Sequence, residues 1–119
     1  MEIYTSYYAK VNRMNTDDCL LIRISSSAPK WFNKPCAVLP ELYPDWSLIN
    51  GIKNGTMSEE EYTQEYTAIF TDELKESVLS KVQALLNSSG KSKAVLLCWC
   101  TGFCHRHLVN DWLGGKGEM

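Results

Sequence analysis

The spacing of apolar residues divides most of the chain into strands and helices. Apolar or β-branched runs over residues 3–8, 19–25 and 94–98 predict three strands. The last run, AVLLC, has no polar position, which is typical of an interior strand covered on both faces. We therefore expect residues 94–98 to lie inside the sheet.

Helical spacing of apolar residues appears in three later segments. Ser58 and Glu61 match a capping box and predict that a helix begins there. A second helix is predicted over residues 72–87, and a third begins near Cys104. Core packing is the expected role of their apolar stripes.

The segment 29–50 lacks a regular period. It contains all four prolines together with Trp31, Phe32 and Trp46, and it predicts a long packed loop with one short helix near residues 46–49. An aromatic loop of this kind is equally compatible with a contact in a homodimer.

Strands that alternate with helices predict a single α/β domain over residues 1–119. We expect a mostly parallel sheet of three to four strands with helices on both faces. A length of 119 residues and an apolar content of 45% suit one modest core. The glycines near residue 115 predict that residues 114–119 form a frayed tail.

Charge and hydropathy narrow the choice of partners. The formal net charge is −2, and no basic stripe is present, so duplex nucleic acid is not an expected partner. No apolar run approaches the roughly 18 residues of a membrane span, and the start lacks the basic and apolar regions of a signal peptide. We expect a cytoplasmic protein with no membrane partner.

The five cysteines fall into two groups. Cys19 and Cys36 stand apart and are expected to be small buried side chains. The other three lie in the segment 98–107, CWCTGFCHRH, which also holds both histidines. This segment follows a predicted strand and opens a predicted helix, where ligands bind in parallel sheets. It is the candidate functional site.

The helical phase separates three neighbouring side chains. If the stripe of the last helix faces the sheet, His105 points inward, Arg106 lies at the edge and His107 points outward. His105 is then a base, a metal ligand or a residue that pins the loop. Arg106 opposes the helix dipole, so it needs a bound anion or an acidic partner from residues 29–45.

Several chemistries fit the candidate site. Cys104 or Cys98 is a candidate thiol nucleophile, with His105 as base and Arg106 as anion clamp. Cys98 or Cys100 could pair with Cys104 as a redox couple. The spacing from Cys100 to Arg106 matches the Cys-x5-Arg loop of cysteine phosphatases, but the spacing alone is weak evidence.

A metal site is a further alternative. Thiolates and imidazole are zinc ligands, yet the Cys-x2-Cys spacing of structural zinc sites is absent. We expect no cofactor, with zinc as the less favoured alternative and no metal residues assigned.

The run LLCWC, followed by CHRHLV and Trp112-Leu113, resembles the hallmark of the domain of unknown function 488 family, which comprises small bacterial and phage proteins. Residues 3–7, 23–25 and 61–66 are similar to its short branch, so the likeness spans most of the chain. The resemblance implies an α/β fold with the cysteine loop at the carboxyl end of a strand. Where the family often has glutamate, this chain has Cys100, and the loop before the Cys-His-Arg block is shorter.

Strand ends, hydroxyls and aromatic rings together predict a small-molecule pocket. We expect it to bind a nucleotide or a nucleotide-derived ligand, either sequestering or processing it, as a phage accessory or anti-defence protein could do. A thiol enzyme and a metal-stabilised interaction module are the alternatives. The expected ligand-binding residues are Ser6, Tyr7, Arg23, Ser25, Trp31, Trp99, Cys100 and Arg106.

Overall fold

The computed structural model describes residues 1–99 and 104–119. In chain order the elements are β1 (Glu2–Tyr7), α1 (Tyr8–Val11), β2 (Cys19–Arg23), β3 (Ala37–Val38), a 3-10 helix (Pro40–Leu42), α2 (Trp46–Asn54), α3 (Glu59–Thr67), α4 (Asp72–Ser89), β4 (Lys93–Cys98) and α5 (His105–Leu113).

The described strands form one four-stranded sheet in the order β1-β4-β2-β3, and every pairing is parallel. β4 lies between β1 and β2, and all its residues from Ala94 to Cys98 are buried. Because the strands run in one direction, their carboxyl ends meet at the same edge. The predicted α/β fold with a mostly parallel sheet is confirmed.

The two faces of the sheet pack against different helices. Leu96 and Cys98 of β4 belong to a core formed with α2, α3, α4 and α5. Leu97 faces the other way and packs with Tyr8 and Val11 of α1. Alternate residues of a strand point to opposite faces, so β4 contributes to both cores.

The helix that follows Ser58 begins as its sequence predicts. The Ser58 hydroxyl accepts a hydrogen bond from the Glu61 amide over 3.1 Å, and the Glu61 carboxylate accepts one from the Ser58 amide over 3.3 Å. This reciprocal pair satisfies two amides at the start of α3, and the predicted capping box is confirmed.

The segment 29–50 has more regular structure than its sequence predicts. Ala37–Val38 form β3 beside β2, and the helix that starts at Trp46 continues to Asn54. The Tyr66 hydroxyl donates to the Leu42 carbonyl over 2.7 Å and holds the 3-10 helix against α3. A two-residue strand is too short to show a period-2 pattern, which explains why β3 was not predicted.

The prediction that residues 114–119 form a frayed tail is wrong. The Lys116 amide donates to the Ile3 carbonyl, the Thr5 amide donates to the Gly117 carbonyl, and the Met119 amide donates to the Thr5 carbonyl, over 2.7, 2.9 and 3.0 Å. β1 lies at the edge of the sheet, and this pairing satisfies polar groups that the edge would otherwise expose. We call residues 115–119 the closing segment.

The helices within the described ranges are too short or too polar for any of them to cross a bilayer.

Candidate functional site

The candidate site is a pocket at the carboxyl edge of the sheet. It has a volume of about 460 Å³, within the usual range for small-molecule sites. Cys98 at the end of β4 and His105 at the start of α5 line one side, and α2 lines the other. Among the described residues, the lining comprises Ser25, Ser26, Ser27, Pro44, Trp46, Ile49, Ile52, Lys53, Tyr62, Cys98, Trp99, Cys104 and His105.

His105 is buried and held in one tautomer. Its Nε2 lies 2.8 Å from the carbonyl oxygen of Ile24, which can only accept, so Nε2 carries the hydrogen. The other nitrogen, Nδ1, lies 3.4 Å from the Cys104 sulfur and is left as an acceptor. The pKa of His105 is lowered to about 4, chiefly by burial and also by the charge of Arg106, while the Ile24 hydrogen bond opposes the shift. His105 is therefore neutral near pH 7.

Cys98 and Cys104 approach each other across the loop. Their sulfur atoms lie at disulfide-bonding distance, and both residues are buried. Cys104 is the N-cap residue of α5. The pair has an oxidised form, in which neither sulfur is a nucleophile, and a reduced form with two thiols.

Arg106 is fully buried, whereas the sequence places it at the edge of the helix face. Its Nη1 donates to the Cys98 sulfur over 3.2 Å, its Nη2 lies 3.2 Å from the Glu118 carboxylate, and its guanidinium lies 5.5 Å from the ring centre of Tyr7. The acidic partner comes from the closing segment and not from residues 29–45. Arg106 is not among the described residues that line the pocket, so its role as an anion clamp stays a prediction.

Three ligand atoms are grouped tightly enough to hold a metal ion. The sulfurs of Cys98 and Cys104 and a ring nitrogen of His105 lie within 4.8 Å of one another. The Ile24 carbonyl fixes the ring in the way that outer partners of metal-bound histidines do. In the reduced form of the pair, these three side chains would supply the thiolate and imidazole ligands that zinc takes.

Ser25 and Trp99 lie on the pocket wall, as predicted. Burial raises the pKa of Tyr8 to about 12, so its protonated hydroxyl donates to Ser25 Oγ over 2.6 Å. Ser25 Oγ in turn donates to the Ser27 carbonyl over 2.7 Å. The Trp99 indole donates to the same carbonyl over 2.8 Å, which fixes an aromatic ring that is 49% exposed.

Other residues with a predicted ligand role lie away from the pocket. Ser6 pairs with Leu97 in register and therefore faces α1, on the side of the sheet opposite Cys98. The Arg23 guanidinium is held by the Tyr43 hydroxyl over 3.4 Å. Tyr7 packs against Arg106, and Trp31 contacts Phe32 without lining the pocket. Cys100, and with it the phosphatase-like spacing to Arg106, lies outside the described residues.

Trp46 and Lys53 are among the pocket residues that received no functional role from the sequence. Trp46 is 71% exposed on the pocket wall, and Lys53 follows it by two helical turns on α2. Both lie on α2, which begins inside the proline-containing segment 29–50, where the apolar residues show no regular helical spacing. The exposure of a tryptophan is the feature that marks such a surface, and it becomes visible only once the chain is folded.

The whole chain apart from its first three and last two residues matches one family model. The match covers residues 4–117, and the family is described as DUF488-N3a, the active DUF488-N3 subclade. No curated protein and no solved structure matches the chain. Since the match spans nearly the full length, the chain belongs to the DUF488 family, within its DUF488-N3a subclade.

Proposed function

We propose that this chain is a thiol-dependent enzyme that acts on a small, largely apolar molecule held in the pocket at the carboxyl edge of the sheet. The proposal is based on the positions of two sulfur atoms and one ring nitrogen. Those of Cys98, Cys104 and His105 lie close together at the wall of one cavity. The description of the matched subclade as active also supports catalysis.

The two thiols have different surroundings, and we assign them different roles. The guanidinium beside Cys98 favours its thiolate, so Cys98 is the attacking group in the reduced protein. Cys104 faces Nδ1 of a histidine that resists protonation, so it stays a thiol that donates to His105. Cys104 is then placed to attack a mixed disulfide on Cys98, which closes the Cys98–Cys104 disulfide and releases the other sulfur as a thiol.

The lining indicates the class of molecule. Pro44, Trp46, Ile49, Ile52 and Tyr62 make the wall mainly apolar and aromatic, while Ser25, Ser26 and Ser27 supply hydroxyl and backbone groups. Lys53 is the one formally charged side chain among the described lining residues. A flat ring with at most one anionic group suits this wall better than a polyphosphate does.

An untargeted turnover experiment tests the proposal even though the substrate is unidentified. Reduced protein is incubated with a bacterial metabolite extract, and the small molecules are profiled by mass spectrometry. We expect at least one compound to be consumed by the parent and left intact by Cys98→Ser, Cys104→Ser and His105→Gln. Cys36→Ser, outside the pocket, is the matched control and should act as the parent does. Identical profiles for folded parent and folded Cys98→Ser would sink the proposal.

Binding without turnover is the second candidate, favoured by the two exposed indoles of Trp46 and Trp99 on the pocket wall. Indoles stack on nucleobases irrespective of base identity, so a nucleotide-derived ligand could be sequestered there, as a phage anti-defence protein would require. Native mass spectrometry of freshly purified protein separates the candidates. A ligand retained equally by parent and Cys98→Ser supports sequestration, and a zinc-sized increment lost in Cys98→Ser supports the metal site.

A further inference from the structure

We infer that a short single-stranded nucleic acid binds across the carboxyl edge of the sheet, with bases stacked on the exposed indoles of Trp31 and Trp99 and phosphates beside the basic residues of segment 8–38. The inference uses no thiol chemistry and goes beyond the proposed function. It assigns a role to Trp31, which is not among the described residues that line the pocket.

Four aromatic rings form a continuous row at this edge. The ring centre of Trp31 lies 6.3 Å from that of Phe32, the Phe32 centre lies 5.0 Å from that of Tyr8, and the Tyr8 centre lies 6.0 Å from that of Trp99. Tyr8 is buried and Phe32 is half-buried, whereas the indoles at the two ends are 55% and 49% exposed. We call these four residues the aromatic row. It presents two exposed indoles on one packed support.

Both exposed indoles are held by the fold. The Trp99 indole donates to the Ser27 carbonyl over 2.8 Å. The loop that carries Trp31 is closed by a hydrogen bond from the Phe32 amide to the Pro29 carbonyl over 3.1 Å. Immobilising side chains on binding costs free energy, so rings that are already positioned bind stacked bases at a lower cost.

The charge around the aromatic row is positive, although the whole chain has a formal net charge of −2. Segment 8–38 carries five basic residues and two acidic ones, which are Lys10, Arg13, Arg23, Lys30 and Lys34 against Asp17 and Asp18. The two aspartates directly precede β2, at the amino edge of the sheet and away from the row. Lys30 is exposed beside Trp31, and Lys10 lies on α1, which directly follows β1. This excess of positive charge favours a polyanion at the row.

The helices on the other face of the sheet carry the opposite charge at their starts. The first turn of α3 holds three glutamates, and the first turn of α4 holds an aspartate and a glutamate. Both helices pack on the core that lies opposite α1. A polyanion is therefore attracted to the side of the aromatic row and repelled from the side of α3 and α4.

A single strand suits the aromatic row better than a duplex does. The bases of a single strand expose their faces, and they stack on aromatic side chains irrespective of sequence. In a duplex those faces are covered by the neighbouring base pairs. Trp46 continues the surface beyond Trp99, since both side chains line the pocket and both are exposed. A strand that crosses the row therefore has the pocket at one end.

The test is the fluorescence anisotropy of a fluorescein-labelled oligothymidine of about ten nucleotides, titrated with the parent protein at low salt. We expect Trp31→Leu, which keeps an apolar side chain but loses the ring, to weaken binding at least about fivefold, the lower end for one stacked base. Trp31→Phe retains a ring and should bind nearly as the parent does. Ile69→Ala, at an exposed apolar position between α3 and α4, is the matched control and should leave binding unchanged.

A second pair of variants tests the contribution of charge. Lys30→Gln should weaken binding at low salt about twofold or more and reduce the salt dependence of binding, because a phosphate contact is lost. Lys81→Gln removes the same charge from an exposed side chain of α4, on the other face of the sheet. It should change neither the affinity nor its salt dependence.

Each contrary outcome overturns the inference. These outcomes are no binding by the folded parent, equal binding by the parent and Trp31→Leu, equal losses in Lys30→Gln and Lys81→Gln, and equally tight binding of the annealed duplex. Analytical ultracentrifugation tests the other occupant, a second copy of this chain. A dimer that Trp31→Leu converts to a monomer assigns the aromatic row to self-association and also overturns the inference. Turnover by Cys98 is measured separately, so the proposed function stands or fails on its own experiment.

Discussion

The ring of His105 donates from Nε2 to the carbonyl of Ile24 over 2.8 Å, and this contact turns the unprotonated nitrogen toward the sulfur of Cys104. Ile24 directly follows β2 and His105 opens α5, so the contact joins two elements at the carboxyl edge of the sheet. It makes His105 a neutral acceptor at the wall of the pocket.

His105 should make the folded protein sensitive to mild acid. Its pKa is about 4 when folded and about 6.5 when unfolded, so between these values the unfolded chain binds more protons. The stability that this difference contributes is fully present above pH 6.5 and is lost as the pH falls through 4, by up to about 3 kcal/mol. Urea denaturation at pH 7.0 and pH 5.0 measures the loss.

The matched variant for this prediction is His105→Gln, which cannot titrate in the same range. It should lower stability at pH 7.0 and show a smaller loss between pH 7.0 and 5.0 than the parent. His107→Gln, on the exposed side of the same helix, should lose as much as the parent. An equal pH dependence in parent and His105→Gln would exclude His105 as the cause.

Arg106→Met should destabilise the protein. From the sequence alone, a substitution at this position would be expected to weaken ligand binding instead. The substitution removes a fully buried ion-pair partner and its contacts with Tyr7 and Cys98. The carboxylate left behind is partly exposed and can be hydrated, so we expect a loss of about 2 kcal/mol, below the 3–5 kcal/mol of a stranded buried charge. Urea denaturation is the measurement. Arg13→Met, at an exposed position after α1, is the control, and an equally small effect of both substitutions would contradict the structural role.

Trp46 and Trp99 should dominate binding of flat ligands. We expect Trp46→Ala to weaken binding of adenosine by about tenfold, the size of one base-stacking contact. Trp31→Ala is the matched control, because Trp31 is 55% exposed yet lies outside the pocket lining. Isothermal titration with adenosine and with adenosine monophosphate measures the effect. Equal losses for Trp46→Ala and Trp31→Ala would contradict the location of the ring site, and no binding of either compound would exclude a nucleoside as the ligand.

The capping box supplies a prediction that is independent of function. Ser58→Ala removes the acceptor for the Glu61 amide and should lower the free energy of unfolding by about 1 kcal/mol. Ser88→Ala in the exposed last turn of α4 is the control and should change it by less than about 0.5 kcal/mol. Urea denaturation measures the free energy of unfolding of both variants, and equal effects would show that the cap does not stabilise α3.

The sheet could be predicted closely because its strands are coded by local patterns. The run from Ala94 to Cys98 is apolar throughout, and it lies between β1 and β2 as a strand of that kind should. Ala37–Val38 and the closing segment could not be predicted. Their positions depend on hydrogen bonds to strands distant in sequence, and neither segment is long enough to carry a periodic pattern.

Part of the candidate site could be predicted, because helical phase alone decides which way the side chains at the start of α5 point. The inward side of α5 carries His105 and the outward side His107, and the structure confirms both. The partner of Arg106 was not predictable, because Glu118 reaches it through a segment whose glycines suggest disorder. Trp46 was missed as a pocket residue because a tryptophan in a core and a tryptophan on a surface have the same sequence signature.

The reactivity of the Cys98 thiol can be measured by competitive alkylation of the reduced, folded parent. The protein is treated with a limiting amount of iodoacetamide at pH 7.0, and fragmentation mass spectrometry assigns the modified cysteines. Cys19 and Cys36 are internal references, because both line a separate cavity of about 550 Å³ and burial raises the pKa of each thiol. We expect Cys98 to be modified about tenfold faster than either reference. Modification of Cys36 before Cys98 would rule out Cys98 as the reactive thiol.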